Sequence, residues 1–159
     1  MTVADLRLRP ATRAEFDVWL PQLEARYAEE IAISGAMPAA EAREKARRDT
    51  ARLFIAGLET PGQVVFRVLA DGVAVGWLWL GVPGPAGDPL MAWVYDIEVD
   101  PEHRGRGYGR AAMLLAETEA RARGMASLGL NVHGQNAVAR SLYDSLGYEA
   151  MALQMKKPL

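Results

Sequence analysis

Seven residues, Arg104-Gly-Arg-Gly-Tyr-Gly-Arg110, stand between a strand pattern and a helix pattern and restrict how the chain can fold around them. Upstream, Met91 to Val99 reads as a strand, stopped by Asp100-Pro101. Downstream, Tyr108, Ala111, Ala112 and Leu115 fall at helical spacing, so a helix is expected from about Arg106 to Arg123, with Gly124 as its stop. Three glycines in five positions let the backbone come close to a ligand, because no Cβ blocks the approach. The free N–H groups and dipole of the following helix favour an anion. Arg104, Arg106 and Arg110 bring three cations to one turn of a chain whose formal net charge is −2. Pyrophosphate is the natural guest, and a tight turn without a ligand is the plain alternative.

Other glycine motifs fit less well. A dinucleotide fingerprint counted from Gly105 finds Gly107 at its third place but Arg110 at its sixth. A P-loop needs Gly-Lys-Ser/Thr, which is absent. Arg106-Gly-Tyr-Gly109 matches the first four places of an RNA-recognition signature, then puts Arg110 where an aromatic residue is required. That signature also belongs on a strand whose rings stack on bases. A single-stranded RNA binder is therefore a remote reading, and the acidic balance argues against a general nucleic-acid binder.

The rest of the chain supplies elements on both sides. Leu6 and Leu8 alternate with arginines as a first strand. Thr12 and Glu15 form a capping box ahead of a helical pattern through Phe16, Trp19, Leu20, Leu23, Tyr27 and Ile31, with a kink or break expected at Pro21 and an end at Gly35. Pro38 opens a second helix, running to about Leu58, whose dense charges read as a solvated face. Val64–Ala70 and Val73–Val82 flank the hairpin signal Asp71-Gly72. Pro83 to Pro89 is a loop, Leu128–Val132 a strand, Ala137–Leu146 a short helix and Tyr148–Met155 a last strand. The order β-αα-ββ-β-α-β-α-β predicts an α/β (α+β) fold, with a mixed, mostly antiparallel sheet and helices on both faces.

Residues 1–159 are the size of one domain. With no cysteine and only His103 and His133, thirty residues apart, the chain offers no thiolate chemistry and no helical histidine pair, so no metal is expected. Met1-Thr-Val-Ala-Asp-Leu-Arg lacks the apolar core of a secretory signal, and no stretch is apolar enough to span a membrane. A cytoplasmic protein with no membrane partner is the expectation.

Ile97-x-Val99-x-Pro101-x-x-Arg104-Gly-x-Gly-x-Gly109 resembles the central motif of the GNAT acetyltransferases, Arg/Gln-x-x-Gly-x-Gly/Ala, with Arg104, Gly107 and Gly109 in its fixed places. Asn136-Ala-x-Ala-x-x-Leu142-Tyr-x-x-Leu-Gly147-Tyr resembles the family's Asn…Leu-Tyr…Leu-Gly-Phe motif, in the expected order. Tyr27-Ala-Glu-Glu30 and Val75-Gly-Trp-Leu-Trp79 resemble an uncharacterised bacterial branch. The resemblance implies a fold whose fourth and fifth strands splay apart to admit acetyl-CoA. It implies that the backbone of Ile97, Glu98 and Val99 pairs with the pantetheine arm. It likewise implies that Arg104, Gly105, Arg106, Gly107, Tyr108, Gly109 and Arg110 hold the pyrophosphate. Asn136 would bond the pantetheine and Tyr143 would protonate the leaving thiolate. The implied activity is acetyl transfer from acetyl-CoA to a primary amine, by direct attack in a ternary complex. A non-catalytic acyl-CoA-binding module is the alternative, and a homodimer is open.

Spacing adds its own observations. Asn136 and Tyr143, seven apart, would share a helix face, while Val138, Leu142 and Ser145 form a stripe that suits the core. An ordinary amphipathic position for Tyr143 is the plain alternative. An amine of pKa ~10.4 must lose a proton before it attacks. Asp96 and Glu98 project together from the fourth strand, opposite to Tyr95, Ile97 and Val99. Two carboxylates on one face raise the pKa of at least one of them, which suits a base and attracts a cationic amine. Both could equally be solvent-facing strand residues, and a bulge would change which one points at the acetyl group. The acceptor, whether small amine, amino acid or protein N-terminus, would be shaped by Tyr27, Glu29, Glu30 and the Pro83–Pro89 loop. Trp77 and Trp79 read as core.

Overall fold

The structure is a computed structural model that describes residues 5–35, 37–85 and 87–159. Met1 to Ala4 of the N-terminal stretch and Ala86 of the proline-rich loop lie outside the described residues. The chain forms two compact units, residues 1–129 and 130–159.

β1 (Leu6–Pro10), β2 (Gln63–Ala70), β3 (Val73–Gly81), β4 (Met91–Val99) and β5 (Ser127–Leu130) stand in sequential order across one sheet, which lies in the first unit but for Leu130 at the end of β5. The first four are antiparallel neighbours, whereas β5 runs parallel to β4. The β2–β3 hairpin turns on Asp71 and Gly72, both at positive φ, as a two-residue turn requires.

Helix α1 (Arg13–Ile33) starts at the expected capping box. The Thr12 hydroxyl accepts from the Glu15 N–H at 3.3 Å, and the Glu15 carboxylate accepts from the Thr12 N–H at 2.8 Å. Glu15 also pairs with Arg9 at 2.7 Å. Held mainly by that hydrogen bond, its carboxyl drops to about 2. The break expected at Pro21 does not occur, and α1 runs through it unbroken. Pro21 forfeits one bond to the Asp17 carbonyl, but Phe16, Trp19 and Leu23 on both sides of it bury into one cluster with Phe54, Val65, Trp77 and Trp79. Burial of such side chains stabilises by ~1.5–3 kcal/mol each, which outweighs the lost bond.

Helix α2 (Ala39–Leu53) stops short of the expected Leu58, and Gly57–Glu59 forms a separate 3-10 turn. Ala28, Ala42 and Ala46 are buried where α1 meets α2, and small side chains allow that close approach. Arg43, Glu44, Arg47 and Arg48 face solvent as expected. Helix α3 (Tyr108–Ala122) lies against β1, β3 and β4, burying Ala112, Met113, Ala116 and Ala120. It begins two residues later than expected, and Gly124 ends it at φ +81°.

In the second unit α4 (Ala137–Ser145) is followed by Gly147 at φ +88°. The expected last strand, Tyr148–Met155, is not formed. Met151, Leu153 and Met155 keep a two-residue alternation yet are 93%, 79% and 89% exposed. A strand is defined by a hydrogen-bonded neighbour, and alternation alone does not supply one. Val138, expected in the core stripe, is also exposed.

Candidate active site

Register decides where the carboxylate pair points. Trp79 lies opposite Asp96 and Trp77 opposite Glu98, and residues directly opposite share a face. Both indoles belong to the core that α1 covers, so Asp96 and Glu98 project toward α1, not into bulk solvent. Their side chains are 13% and 22% exposed. Arg26, one turn beyond the buried Leu23, meets them there. Its Nη2 lies 3.2 Å from Asp96 Oδ2 and 3.0 Å from Glu98 Oε2, and its Nη1 donates to Asp96 Oδ1 at 3.5 Å. Burial pushes the Asp96 carboxyl up, against the opposing pull of Arg26. Burial also raises Glu98, with Asp96 and Asp100 adding to it and Arg26 and Arg104 opposing.

The strand carries a bulge beside the pair. Trp79 pairs with Asp96 but Leu80 pairs with Val94, which leaves Tyr95 without an opposite residue. Strict alternation therefore fails at Tyr95. Its ring does not follow Ile97 and Val99 but stacks on Trp79, with centroids 4.5 Å apart. Gly81 makes room for it, since a Cβ there would sit 2.6 Å from the ring. A second close approach lies at Gly76, where a Cβ would stand 2.1 Å from the Glu98 carbonyl oxygen. Sequence reasoning named Gly76 only within a family-like string and did not single out Gly81 or Arg26. The signal for the glycines was present, because glycine inside a strand marks a bulge or a close backbone approach.

On the other edge of β4, β5 begins beside Leu90, whose carbonyl accepts from Ala126 N–H at 2.7 Å. β5 has four residues and β4 has nine. A parallel partner that starts at Leu90 and is this short leaves the Ile97–Val99 end of that edge without a ladder from β5.

The glycine loop follows directly. Asp100 N–H donates to Val75 at 2.9 Å, and Pro101–His103 makes one 3-10 turn. Gly105 and Gly107 take φ +74° and +80°, and Gly107 caps α3. Among the described residues, no atom beyond the chain neighbours lies within 4 Å of a Cβ built at either glycine. Backbone conformation, not crowding, is what demands glycine there. The first-turn amides of α3, those of Tyr108 and Gly109 among them, have no acceptor inside the helix. The Arg104 Nε donates to the Val99 carbonyl at 2.9 Å and Arg106 Nη2 to the Glu102 carbonyl at 3.3 Å. These two arginines brace the loop as well as charging it. Tyr108 opens a helix, so the Arg106–Gly109 string does not lie on a strand as the RNA-binding signature requires.

In the second unit Asn136 is the N-cap of α4, and its Oδ1 accepts from Ala139 N–H at 3.1 Å. It stands before the helix, so the two-turn relation to Tyr143 is not that of two helical residues. The half-buried Tyr143 ring meets Tyr148 edge-on at 5.8 Å.

Of the residues expected to shape an acceptor, Glu29 and Glu30 are exposed, whereas Tyr27 is partly buried. Tyr27 packs along the α1–α2 seam and donates to Asp49 at 3.0 Å, while Lys45 pairs with the same carboxylate. A separate open groove of about 430 Å³ is lined by Glu15, Val18, Gln22, Arg67 and Trp77. Arg67 stacks on Trp77 there and Glu15 is committed to Arg9, so no unpaired carboxylate serves that groove.

A family model, Acetyltransferase (GNAT) family, matches residues 24–148. The chain belongs to that family. It is 30% identical to the uncharacterised N-acetyltransferase YycN of Bacillus subtilis, over 97% of this chain and 99% of that one. It is 27% identical to the uncharacterised N-acetyltransferase YdgE of the same organism, over 96% and 97% of the two chains. The crystal structure of YycN superposes with a TM-score of 0.89, covering 97% of this chain and 98% of that one. A mycothiol acetyltransferase of Beutenbergia cavernae is 40% identical over 52% of this chain, which corresponds to 27% of that protein.

Proposed function

We propose that the protein transfers an acetyl group from acetyl-CoA to a primary amine by direct attack in a ternary complex. The observation that carries this reading is the succession along one strand. The half-buried carboxylates of Asp96 and Glu98 alternate with Ile97 and Val99, at an edge of β4 that the short β5 does not reach, and a glycine loop at a helix N-terminus follows. Acetyl-CoA has a reactive thioester at one end, then an amide-bearing arm, then a pyrophosphate that leads on to the nucleotide, so a site for its thioester half needs those three features close together.

In this reading the amides of Gly105 to Arg110 hold the pyrophosphate, with Arg104, Arg106 and Arg110 balancing its charge. The backbone of Ile97 to Val99 pairs with the pantetheine arm, and Asn136 donates to it through the amide nitrogen that its capping role leaves over. The carboxylate pair takes a proton from the acceptor's ammonium group. The freed nitrogen attacks the thioester carbonyl carbon, a C–N bond forms and the C–S bond breaks. Tyr143 gives its proton to the departing thiolate, and the second proton that the nitrogen sheds as the amide forms restores the phenol. The products are the acetylated amine and CoA with a free thiol.

The acceptor is a small amine, an amino acid or a protein N-terminus, and the setting is the cytoplasm. The deciding experiment is a panel of those acceptors with acetyl-CoA, followed by free-thiol release and by mass spectrometry of the products. Acceptor-dependent thiol release with a mass gain of one acetyl group is expected. A thermal shift by acetyl-CoA with no turnover across the panel would instead make the chain an acyl-CoA-binding module.

A further inference from the structure

The carboxylate pair is not symmetric, and the asymmetry comes from α1. Arg26 reaches Asp96 through both terminal nitrogens, at 3.2 and 3.5 Å, but touches Glu98 through one, at 3.0 Å. Asp96 is the more enclosed of the two, its side chain 13% exposed against 22% for Glu98. The Glu98 Oε1 has no protein donor among the described residues. An Arg fork holding both oxygens of one carboxylate fixes its geometry as well as its charge. A carboxylate held in that way is a poor proton acceptor, because protonation would break the pairing. We propose that Arg26 is a positioning residue that divides the pair, holding both oxygens of Asp96 in its fork and leaving Glu98 to meet the acceptor's amine. The three charges sum to −1, one negative charge for one ammonium group to neutralise. This inference rests on the reading of the pair as the base.

The groups that act on Glu98 are Arg26 from α1, Asp96 and Asp100 along its own strand and beyond it, and Arg104 from the loop. Removing Arg26 leaves two adjacent carboxylates, with Arg104 as the cation that still opposes protonation of Glu98. Both must then become harder to ionise, Asp96 more so than Glu98, because Asp96 loses two contacts and Glu98 one.

The test follows the two carboxyl carbons by NMR through a pH titration in wild type, Arg26→Gln and Arg26→Lys, beside pH profiles of kcat/KM for an acceptor from the panel. In Arg26→Gln both carboxyl titrations and the ascending limb should move to higher pH. kcat/KM on that limb should fall about tenfold, as expected for loss of an opposite charge at this range. Arg26→Lys, which keeps the charge but not the fork, should recover part of the shift. Glu98→Gln should abolish the limb, whereas Asp96→Asn should keep it and move it to lower pH. Unmoved titrations in folded Arg26→Gln or Arg26→Lys, or a limb lost with Asp96→Asn but kept with Glu98→Gln, would overturn the assignment. The titrations need no acceptor, so a wild-type protein that acetylates nothing in the panel defeats the reading of the pair as a base and still leaves the role of Arg26 decided.

Discussion

Tyr143 and Gly76 show how much can turn on one side chain. A thiolate of pKa ~8.5 can leave unaided, but a placed phenol adds the ~10²–10⁴-fold typical of a general acid. Tyr143→Phe keeps the ring against Tyr148. It should therefore lower kcat substantially while acetyl-CoA affinity stays within a few-fold. A wild-type rate with chemistry shown to be limiting would return Tyr143 to a packing role. At Gly76 the added methyl group of an alanine would lie 2.1 Å from the Glu98 carbonyl oxygen, where backbone and not a flexible side chain must yield. Gly76→Ala should cost about 1–3 kcal/mol of stability, as overpacking does. In denaturant titration it should be clearly worse than Gly72→Ala, whose Cβ meets nothing within 4 Å among the described residues beyond its chain neighbours and carries the cost of its positive φ. Equal losses at the two positions would mean that β3 can move away from β4 at Glu98.

Among the elements, what was legible in the sequence was local. The capping box of α1, the Asp71-Gly72 turn and the glycine stops of α1 and α3 each depend on residues within a few positions, and each formed. The failures came where distant residues decide. Pro21 is a helix breaker by its own chemistry, and a core shared by α1, β2 and β3 overrides it. The alternation at 148–155 cannot show whether a neighbouring strand will pair with it. Arg26 lies seventy positions from Asp96, and nothing in its surroundings marks it as different from the other arginines of the chain. Glu15 offers an element-scale prediction. Its carboxyl falls from 4.5 to about 2 in the fold, so its contribution is fully present above pH 4.5 and is lost as the pH falls through 2. Because Arg9 is 40% exposed, solvent screening reduces what the shift alone would imply. Glu15→Gln should cost about 1–2 kcal/mol at neutral pH, a value that includes the weakened cap. The difference from wild type should close toward pH 2 in a series of chemical melts, and a constant difference across that range would place the loss elsewhere.

At the scale of the whole molecule, the site's frame could be read before its contents. The family's two motifs fall on the elements expected of them, a loop between β4 and α3 and a helix near residue 140. The face on which Asp96 and Glu98 lie could not be read as buried until the β3–β4 register was known. Binding should stabilise the folded chain. Acetyl-CoA at a hundred times its dissociation constant adds ~2.7 kcal/mol, which moves the melting point of a domain this size by several degrees. Gly107→Val should remove that shift, because φ +80° strains any β-branched residue and the added side chain would meet the pyrophosphate. A full shift in the folded variant would place the phosphates elsewhere.

The stacked indoles of α1 and β3 give the protein an optical reporter of its own chemistry. Trp19 and Trp77 stack with centroids 5.7 Å apart, and Trp77 and Trp79 stand opposite the two carboxylates. Indoles this close couple their electronic transitions, and their emission responds to the electric field around them. Three of the four tryptophans thus sit in the field of Arg26, Asp96 and Glu98. Loss or gain of one charge in that triad should change the near-ultraviolet circular dichroism and shift the emission maximum, so the ionisation of the site can be followed by light in the unlabelled protein.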